Sequence, residues 1–366
     1  MATEQPVPRI GIIGVGTYGE MHLKSYTQMQ RRGGVKLVAV ADTDEATRTR
    51  RAEQFAVKTY AGHAEMIAAE ELDAVTVATP DHLHGDVVVD ALEAGLHVMT
   101  EKPMATTVAD CRRMLAAAKA AGRLLMVDFH KRYDPWHRDA ARRGAAGEIG
   151  RVLYASAYME DRIDVPRDWP IRQWAAHSSP GWFLGVHMFD LLRWITGETA
   201  TAVSATGIKD KLAGMGIDTY DALSVRVGFA SGASATFNLS WVLPDGFEAT
   251  VNQGIRIVGT EGLVEIDSQD RGAAACTAAG GMESPNFSFY RERIDRHGRV
   301  IYEGYGIESI CHFAELVAEL LAGATLDELA GQYPDGEDGL AVTRIGVAAH
   351  ASAEAGGRLI ELESLE

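Results

Sequence analysis

The residues best suited to chemistry lie in one short stretch, His-Val-Met-Thr-Glu-Lys-Pro, at positions 97–103. An apolar run over residues 96–99 predicts a buried parallel strand, with Glu101 and Lys102 at its carboxyl end. Open α/β sheets bind ligands at that edge, where an ammonium could polarise a substrate oxygen. Pro103 has no N–H to donate and so ends the strand. From this stretch alone, a surface Glu-Lys pair before a turn is an equally open interpretation.

A second candidate is the glycine-rich turn Gly14-Val-Gly-Thr-Tyr-Gly19, which follows an apolar run at 10–15 and precedes a helical pattern at 18–29. Another predicted strand, residues 36–41, ends in Asp42, roughly 20 residues after the glycines. This strand, turn, helix and strand form the context of a dinucleotide fingerprint, in which helix amides receive the phosphates. The Asp42 carboxylate would accept from a ribose 2′-hydroxyl and repel a 2′-phosphate, which favours NAD over NADP.

Simpler alternatives stay open for both features. The glycines can form a purely structural turn, and Asp42 can cap the helix that follows it, a role that Thr43 or Asp44 could fill instead. Arg48 and Arg50 lie just beyond and weaken the preference for NAD over NADP.

The next apolar run, residues 74–78, ends in Thr79-Pro80-Asp81-His82-Leu83-His84. The two histidines invite a metal interpretation, which we reject because further ligands are missing, and we expect no metal. The widely spaced Cys111, Cys276 and Cys311 indicate neither a disulfide framework nor a zinc site. The predicted cofactor-binding residues are Gly14, Gly16, Thr17, Tyr18, Gly19, Asp42, Thr79, Pro80, His84, Glu101 and Lys102.

Alternating strands and helices continue to about residue 130, which predicts an N-terminal Rossmann domain, 1–130, with a doubly wound parallel sheet. Period-two patterns such as 233–241 then predict a C-terminal α/β domain, 131–366, with a large open, mainly antiparallel sheet. We expect helical patterns at 307–321 and 339–354 to complete this second domain. An uncovered sheet face would expose apolar patches, so we expect a homo-oligomer, a dimer or tetramer, through this sheet.

Composition excludes several classes of partner. The chain has 366 residues and a net charge of −16, which would repel a nucleic-acid backbone. No run approaches the roughly 18 apolar residues of a membrane span, and residues 1–8 lack the pattern of a secretory signal. We therefore expect a cytoplasmic protein with a small-molecule substrate, without nucleic acid or membrane as a partner.

Together with Gly185-Val-His187-Met-Phe-Asp190-Leu-Leu-Arg-Trp, these motifs resemble the Gfo/Idh/MocA oxidoreductase family over essentially the whole chain. The resemblance implies that Lys102 touches the reacting hydroxyl and the nicotinamide ribose, and that His187 is the acid/base. It also implies polyhydroxylated substrates and a Lys102-Pro103 peptide that can be cis. From the residues alone, His187 is as readily a core or capping histidine as a proton carrier.

The chain departs from that family pattern at one position. Such proteins commonly carry an Asp four residues before the His, and this position is Phe183. Asp190, three residues after His187, is the nearby carboxylate that remains, and it is expected to face elsewhere. Before this segment, Arg172 and Trp174 suit a sugar through hydroxyl contacts and ring stacking, with loop packing as the alternative. The predicted substrate-binding residues are Arg172, Trp174, Phe183 and Asp190.

The predicted function is hydride transfer between NAD and a secondary alcohol or ketone of a sugar, cyclitol or related polyol-like compound. Lys102 and His187 are the predicted catalytic residues. Phe183 keeps a second function open, a catalytically weak NAD-binding regulatory protein. A third is an enzyme of the glycosidase or lyase type that recycles its bound NAD within one turnover.

Overall fold

The computed structural model describes residues 6–268, 274–277 and 281–365. The chain divides into two compact units. The first unit contains Met1–Ala105, Ala109–His130 and Ser288–Leu340, and the second contains Thr106–Val108, Lys131–Phe287 and Ala341–Glu366. Within the described ranges, no helix combines the length and the apolar character that a membrane span needs.

Short parallel strands form the sheet of the first unit: β1 (Arg9–Ile13), β2 (Lys36–Ala41), β3 (Lys58–Tyr60), β4 (Ala74–Val77), β5 (His97–Thr100) and β6 (Leu125–Val127). The helices between them are α1 (Thr17–Gln30), α2 (Glu45–Phe55), α3 (His63–Ala69), α4 (His84–Glu93) and α5 (Val108–Ala121). The strand order is β3-β2-β1-β4-β5-β6. Every residue of β4 and β5 is buried, as expected of a parallel sheet covered on both faces. The predicted doubly wound sheet is confirmed; β3 is a strand that we had not predicted.

The middle of the chain contains six longer strands: β7 (Val152–Arg162), β8 (Ala200–Ile208), β9 (Ala222–Phe229), β10 (Ser234–Leu243), β11 (Val251–Gly259) and β12 (Leu263–Asp267). Its helices are α6 (Pro135–Ala145), α7 (Asp164–Asp168), α8 (Val186–Thr196) and α9 (Lys211–Gly214). The remaining elements are β13 (Ala275–Thr277), β14 (Gly281–Glu283), β15 (Arg291–Ile294), β16 (Val300–Glu303), α10 (Tyr305–Leu321), α11 (Leu326–Leu329), α12 (Gly336–Glu354) and β17 (Ile360–Glu361).

The sheet of the second unit has the strand order β12-β11-β7-β10-β9-β8-β17. Its neighbours pair antiparallel except β7 and β10, which are parallel, so the predicted mainly antiparallel sheet is confirmed as a mixed one. Along β10, Phe237 and Leu239 are buried whereas Thr236 and Asn238 are exposed, in the predicted period of two. Helix α8 covers the buried face: the ring centroids of Phe189 and Phe237 are 4.9 Å apart.

The segment Ser288–Leu340 differs from our predicted domain division at residue 130, because it belongs to the first unit. Helix α10 packs near α1: a Cβ added to Gly306 would lie 2.9 Å from the terminal methyl of Met21. An amphipathic pattern shows that a helix buries one face but does not show which sheet or helix it is buried against. We had therefore placed residues 307–321 in the second domain.

Candidate active site

Three glycines shape the turn between β1 and α1, each for a different reason. Gly14 has a φ of +84°, and a Cβ there would lie 2.6 Å from the carbonyl oxygen of Ala78. A Cβ on Gly19 would lie 2.1 Å from the carbonyl oxygen of Gly14, so only glycine lets the helix approach the turn this closely. Apart from its two chain neighbours, no heavy atom of the described residues lies within 4 Å of a Cβ added to Gly16. The backbone at Gly16 is thus open, as the approach of a diphosphate requires.

Asp42 follows β2 and is hydrogen-bonded to the glycine turn. Its Oδ2 accepts from the Val15 amide at 2.8 Å, and its Oδ1 accepts from the Asp44 amide at 2.9 Å. Asp44, not Asp42, caps α2, since its carboxylate accepts from the backbone amides of Ala46 and Thr47. The capping alternative for Asp42 is therefore excluded, and the carboxylate is oriented at the nucleotide turn. Arg48 donates to the carbonyl oxygen of Asp42 at 2.8 Å.

Arg51 supports this turn, and sequence reasoning missed it. Although it belongs to the otherwise exposed helix α2, its guanidinium is buried, and its Nε donates to the carbonyl oxygen of Val15 at 3.1 Å. Its Nη2 lies 2.5 Å from Glu20 of α1. Partial burial favours a raised pKa for Glu20, but the charges of Arg51 and Lys24 outweigh it and hold this pKa below its ordinary value.

His84 connects two of the predicted cofactor-binding segments. Its ring is buried; Nε2 lies 2.9 Å from the carbonyl oxygen of Thr79, and Nδ1 lies 2.8 Å from that of Pro103. The ring therefore holds the end of β4 next to the segment after β5. Thr79 has a buried Oγ1 that finds no hydrogen-bond partner in the described part of the chain. His84 thus serves the two loops, and the spacing of His82 and His84 needs no metal to explain it.

Lys102 is the second residue after β5 and is only 4% exposed, and Glu101, between them, is 5% exposed. This burial excludes the alternative of a surface Glu-Lys pair. The Lys102 ammonium lies 5.4 Å from the ring centroid of Tyr18, a residue of the glycine turn, within cation–π distance. The Lys102-Pro103 peptide is cis, as the resemblance implied. The ammonium is therefore held beside the turn that fits a dinucleotide.

In the second unit, His187 is the second residue of α8 and is buried. A π-helical turn, Gly181–Gly185, precedes it. Such turns are rare and are frequent at functional sites. Two contacts that we did not predict from the sequence hold the turn Gly181–Gly185 in place. Ser179 Oγ lies 2.7 Å from His350 Nε2, and the rings of Trp182 and His350 stack with their centroids 4.9 Å apart. The geometry of the segment before His187 thus depends on α12, far away in the sequence.

Phe183 belongs to an aromatic cluster with Trp174 and Trp241. Its ring centroid lies 6.3 Å from that of Trp174 and 5.6 Å from that of Trp241. Both distances fall within the range of favourable aromatic pairs. Trp241 is fully buried, whereas Phe183 and Trp174 are half-buried. The position four residues before His187 is therefore apolar and packed against indole rings.

Two predicted substrate-binding residues are placed differently. Asp190 is buried, and both of its oxygens accept from Arg132, at 2.8 and 2.5 Å, in a bidentate ion pair. This pairing places Asp190 in the interior of the second unit, and its role in substrate binding stays a prediction. Arg172 is exposed, and its guanidinium donates to the carbonyl oxygen of Arg167 at 3.2 Å, a loop contact of the kind that the packing alternative described.

Comparisons with known proteins agree with this arrangement. Residues 8–129 match the model of an oxidoreductase family with an NAD-binding Rossmann fold, and residues 137–265 match the GFO/IDH/MocA C-terminal domain. An inositol 2-dehydrogenase of Rhizobium meliloti is 30% identical over 348 residues, which span 93% of this chain and 95% of the relative. The chain belongs to the GFO/IDH/MocA oxidoreductase family.

Further similarities support the same family. A scyllo-inositol 2-dehydrogenase (NAD(+)) of Bacillus subtilis is 27% identical over 314 residues, 84% of this chain and 86% of the relative. The crystal structure of scyllo-inositol dehydrogenase from Lactobacillus casei with bound NAD(H) and scyllo-inositol has a TM-score of 0.78 and 18% identity, covering 98% of this chain and 100% of that chain. This last likeness concerns the fold.

Membership in the GFO/IDH/MocA family confirms the predicted enzyme class, an NAD-dependent oxidoreductase, and the predicted cofactor, NAD. The residues present fit that cofactor. Gly16 leaves the backbone open, Thr79 has a buried hydroxyl without a partner in the described ranges, and Asp42 is oriented at the turn. Phe183 stands where the family resemblance leads one to expect an Asp.

Sequence reasoning missed a second cluster in the first unit, formed by His22, Glu101 and Asp128. Each offers one nitrogen or oxygen atom, and these atoms all lie within 4.8 Å of one another in the interior. Burial lowers the pKa of His22 to about 4. Burial also raises the pKa of Glu101, and burial together with the charge of Glu101 raises that of Asp128 well above its ordinary value. His22 lies in α1 and Asp128 directly follows β6, so their sequence spacing carries no signal.

Proposed function

We propose that this chain is a dehydrogenase or reductase that transfers a hydride between NAD and a secondary alcohol or ketone of a sugar, cyclitol or related polyol-like compound. The observation that carries this proposal is the buried Lys102 ammonium at the carboxyl end of β5, 5.4 Å from the ring of Tyr18 in the nucleotide turn. A buried charge is costly, and buried ionisable groups in unusual environments cluster at functional sites. The relatives named inositol dehydrogenases support the class of substrate.

NAD, when bound, supplies the hydride acceptor or donor. We propose that the turn from Gly14 to Gly19 and the first amides of α1 receive its diphosphate. The Asp42 carboxylate would accept from a ribose hydroxyl, which excludes a 2′-phosphate by charge repulsion. The remaining residues of the proposed cofactor-binding set follow β4 or β5 or lie at the start of α1. They are Thr79, Pro80 and His84 after β4, Glu101 and Lys102 after β5, and Thr17 and Tyr18 in α1.

We propose separate tasks for the two catalytic residues. The Lys102 ammonium stabilises the negative charge that develops on the substrate oxygen when the alcohol loses its proton. His187 accepts that proton in the oxidation direction and returns it in reduction. Arg172, Trp174 and Phe183 are the proposed substrate-binding residues, and the aromatic cluster around Phe183 favours a substrate with an apolar side.

We further propose that the first unit, which contains most of residues 1–130, binds the dinucleotide. The second unit, which contains most of residues 131–366, would bind the substrate and form a homo-oligomer, a dimer or tetramer. The outer face of the second sheet supports the assembly proposal, since Tyr154 of β7 is 50% exposed there among residues such as Thr236 and Asn238. A cytoplasmic location stays a prediction from the sequence.

The test is a screen of cyclitols, sugars and sugar alcohols for substrate-dependent NADH formation, with NAD binding measured by calorimetry on the same preparation. We expect both binding and turnover with at least one polyol-like compound. Binding without turnover across the screen would favour the regulatory protein. Product release from a glycoside without net NADH would favour the enzyme that recycles its bound NAD.

A further inference from the structure

Two contacts connect the buried cluster of His22, Glu101 and Asp128 to the carboxyl end of β5, where Lys102 lies. Glu101 immediately precedes Lys102, and its Oε2 accepts from the Lys102 amide at 3.3 Å. The Asp128 amide donates to the carbonyl oxygen of Thr100 at 2.8 Å, so the end of β6 is tied to the end of β5. The three residues are at most 5% exposed. The cluster therefore lies inside the first unit, directly against the segment that carries Lys102.

The hydrogen bonds identify the tautomer of His22. Its Nε2 lies 3.1 Å from Glu101 Oε1, whereas its Nδ1 is buried and has no hydrogen-bond partner among the described residues. A buried N–H without an acceptor costs more than a bare ring nitrogen, so the proton belongs on Nε2. A neutral imidazole then donates to Glu101, which takes the role of the carboxylate.

The same reasoning gives the charge of Asp128. Its Oδ1 is buried and has no partner in the described ranges. A carboxylate with one bare oxygen in the interior is strongly disfavoured, whereas the carbonyl oxygen of a neutral acid tolerates that position better. With its proton in place, Asp128 can donate to Glu101, with which it shares a side-chain hydrogen bond.

We propose that Asp128 is a neutral carboxylic acid in the folded protein and that Asp128 and His22 are positioning residues, which keep Glu101 as a single buried anion to balance Lys102. One negative charge on Glu101 neutralises the one positive charge of the Lys102 ammonium, and a second negative charge would be uncompensated. The catalytic consequence rests on the function proposed above for Lys102, whereas the protonation of Asp128 stands independently of it.

The groups that face the cluster are consistent with this charge state. His130 Nδ1 lies 4.0 Å from Asp128 Oδ2, beyond hydrogen-bond distance. Ser309 of α10 and His22 both favour the Asp128 carboxylate, but burial and the charge of Glu101 outweigh them. Tyr26 of α1 is a neutral neighbour of Asp128, and His84, the first residue of α4, acts on Glu101.

A divalent cation is the other way to satisfy two carboxylates and an imidazole. Two observations favour a proton instead. His22 Nε2 and Glu101 Oε1 are already 3.1 Å apart, at hydrogen-bond distance, and the neighbouring Lys102 ammonium would repel a cation. Metal analysis of the purified enzyme tests this alternative, and one equivalent of a tightly held divalent metal would overturn the proposal.

The protonation of Asp128 is tested by urea unfolding of wild type and Asp128→Asn at pH 5, 6 and 7. A neutral native Asp128 retains a proton that the unfolded chain loses above about pH 3.9, so wild type loses stability as the pH rises. The asparagine variant cannot titrate there. We expect the ratio of unfolding constants, wild type over variant, to rise about tenfold per pH unit until Asp128 ionises in the fold. A ratio that is constant from pH 5 to 7 would overturn the proposal. The exposed Asp327→Asn is the matched control, with a constant ratio.

The positioning role is tested with two substitutions of His22. His22→Leu removes the donor to Glu101, so we expect a roughly tenfold lower kcat with little change in NAD affinity. His22→Gln offers an amide N–H to the same carboxylate and should recover most of that loss. Equal losses in both variants, or none in either, would overturn the role. If the wild type lacks turnover, the proposed function fails, while the unfolding ratio still decides the protonation of Asp128.

Discussion

The strand ends of the first unit and the segment before His187 in the second unit are built in opposite ways. In the first unit, the glycine turn, Asp42 and Lys102 each sit at the end of a short buried strand, held by backbone contacts. In the second unit, the π-helical turn Gly181–Gly185 is held by side chains from α12 and is lined by the rings around Phe183.

This difference separates cofactor binding, which many enzymes share, from substrate recognition, which is specific to each enzyme. A cofactor is common to many enzymes, so backbone geometry that accepts a diphosphate can be shared widely. A substrate is distinguished by the side chains that meet its individual groups. We therefore expect substitutions in the first unit to act on any substrate, and substitutions near Phe183 to change the choice among substrates.

The largest effect is expected for His187→Asn. The amide cannot accept the proton of the substrate hydroxyl, so kcat should fall by about 10² to 10⁴. Initial rates of NADH formation at saturating NAD measure it, with His297→Asn in the exposed β15–β16 loop as the control. Activity near that of wild type would show that the proton leaves by another route.

Lys102→Met should lower kcat by roughly 10² or more while NAD affinity changes little, because the ammonium acts on charge that develops in the transition state. Turnover and calorimetric NAD binding should be measured together. Lys119→Met, on the exposed side of α5, is the matched control. A near-normal rate in Lys102→Met would place the chemistry elsewhere.

Asp42→Ser should narrow the preference for NAD over NADP by about tenfold or more. The variant loses both the charged acceptor for the ribose hydroxyl of NAD and the charge that repels the 2′-phosphate of NADP. The ratio of kcat/KM for the two cofactors measures it. Asp44→Ala is the control: it removes the cap of α2 and about 1 kcal/mol of stability without altering this ratio. A wild-type advantage for NADP would contradict the assignment of Asp42.

Phe183→Asp should move the acid limb of the kcat/KM profile to higher pH by roughly one unit. A carboxylate near His187 favours the imidazolium, which cannot accept the substrate proton until the pH is raised. Phe183→Asn removes the ring without adding charge, so the acid limb of its kcat/KM profile should lie at the same pH as in wild type. An unchanged limb in Phe183→Asp would mean that this position does not adjoin the proton carrier.

The local features of the first unit could be predicted from the sequence. The bounds of β2 coincide with the predicted range 36–41, because an apolar run is a local signal. The glycines and Lys102 follow from the same logic, since chain order alone places them at strand ends.

Features that depend on partners far away in the sequence could not be predicted. The pairing of Arg132 with Asp190 and the contact of Ser179 with His350 arise only after folding. The same holds for the placement of Ser288–Leu340 with the first unit. A sequence pattern shows that a side chain is buried, but the partner that satisfies it is decided by tertiary packing.

Our central proposal is that Phe183 sets the substrate preference of this NAD-dependent dehydrogenase. The most direct test is the ratio of kcat/KM for a deoxyinositol over myo-inositol, measured for wild type and Phe183→Asp, with Phe183→Leu as the apolar control. A ring offers no acceptor to a hydroxyl, so the ratio should favour the deoxy compound in wild type and Phe183→Leu. The ratio should fall by about tenfold in Phe183→Asp, because the carboxylate can accept a hydrogen bond from the hydroxyl that only myo-inositol carries. The same ratio in all three proteins would contradict the claim.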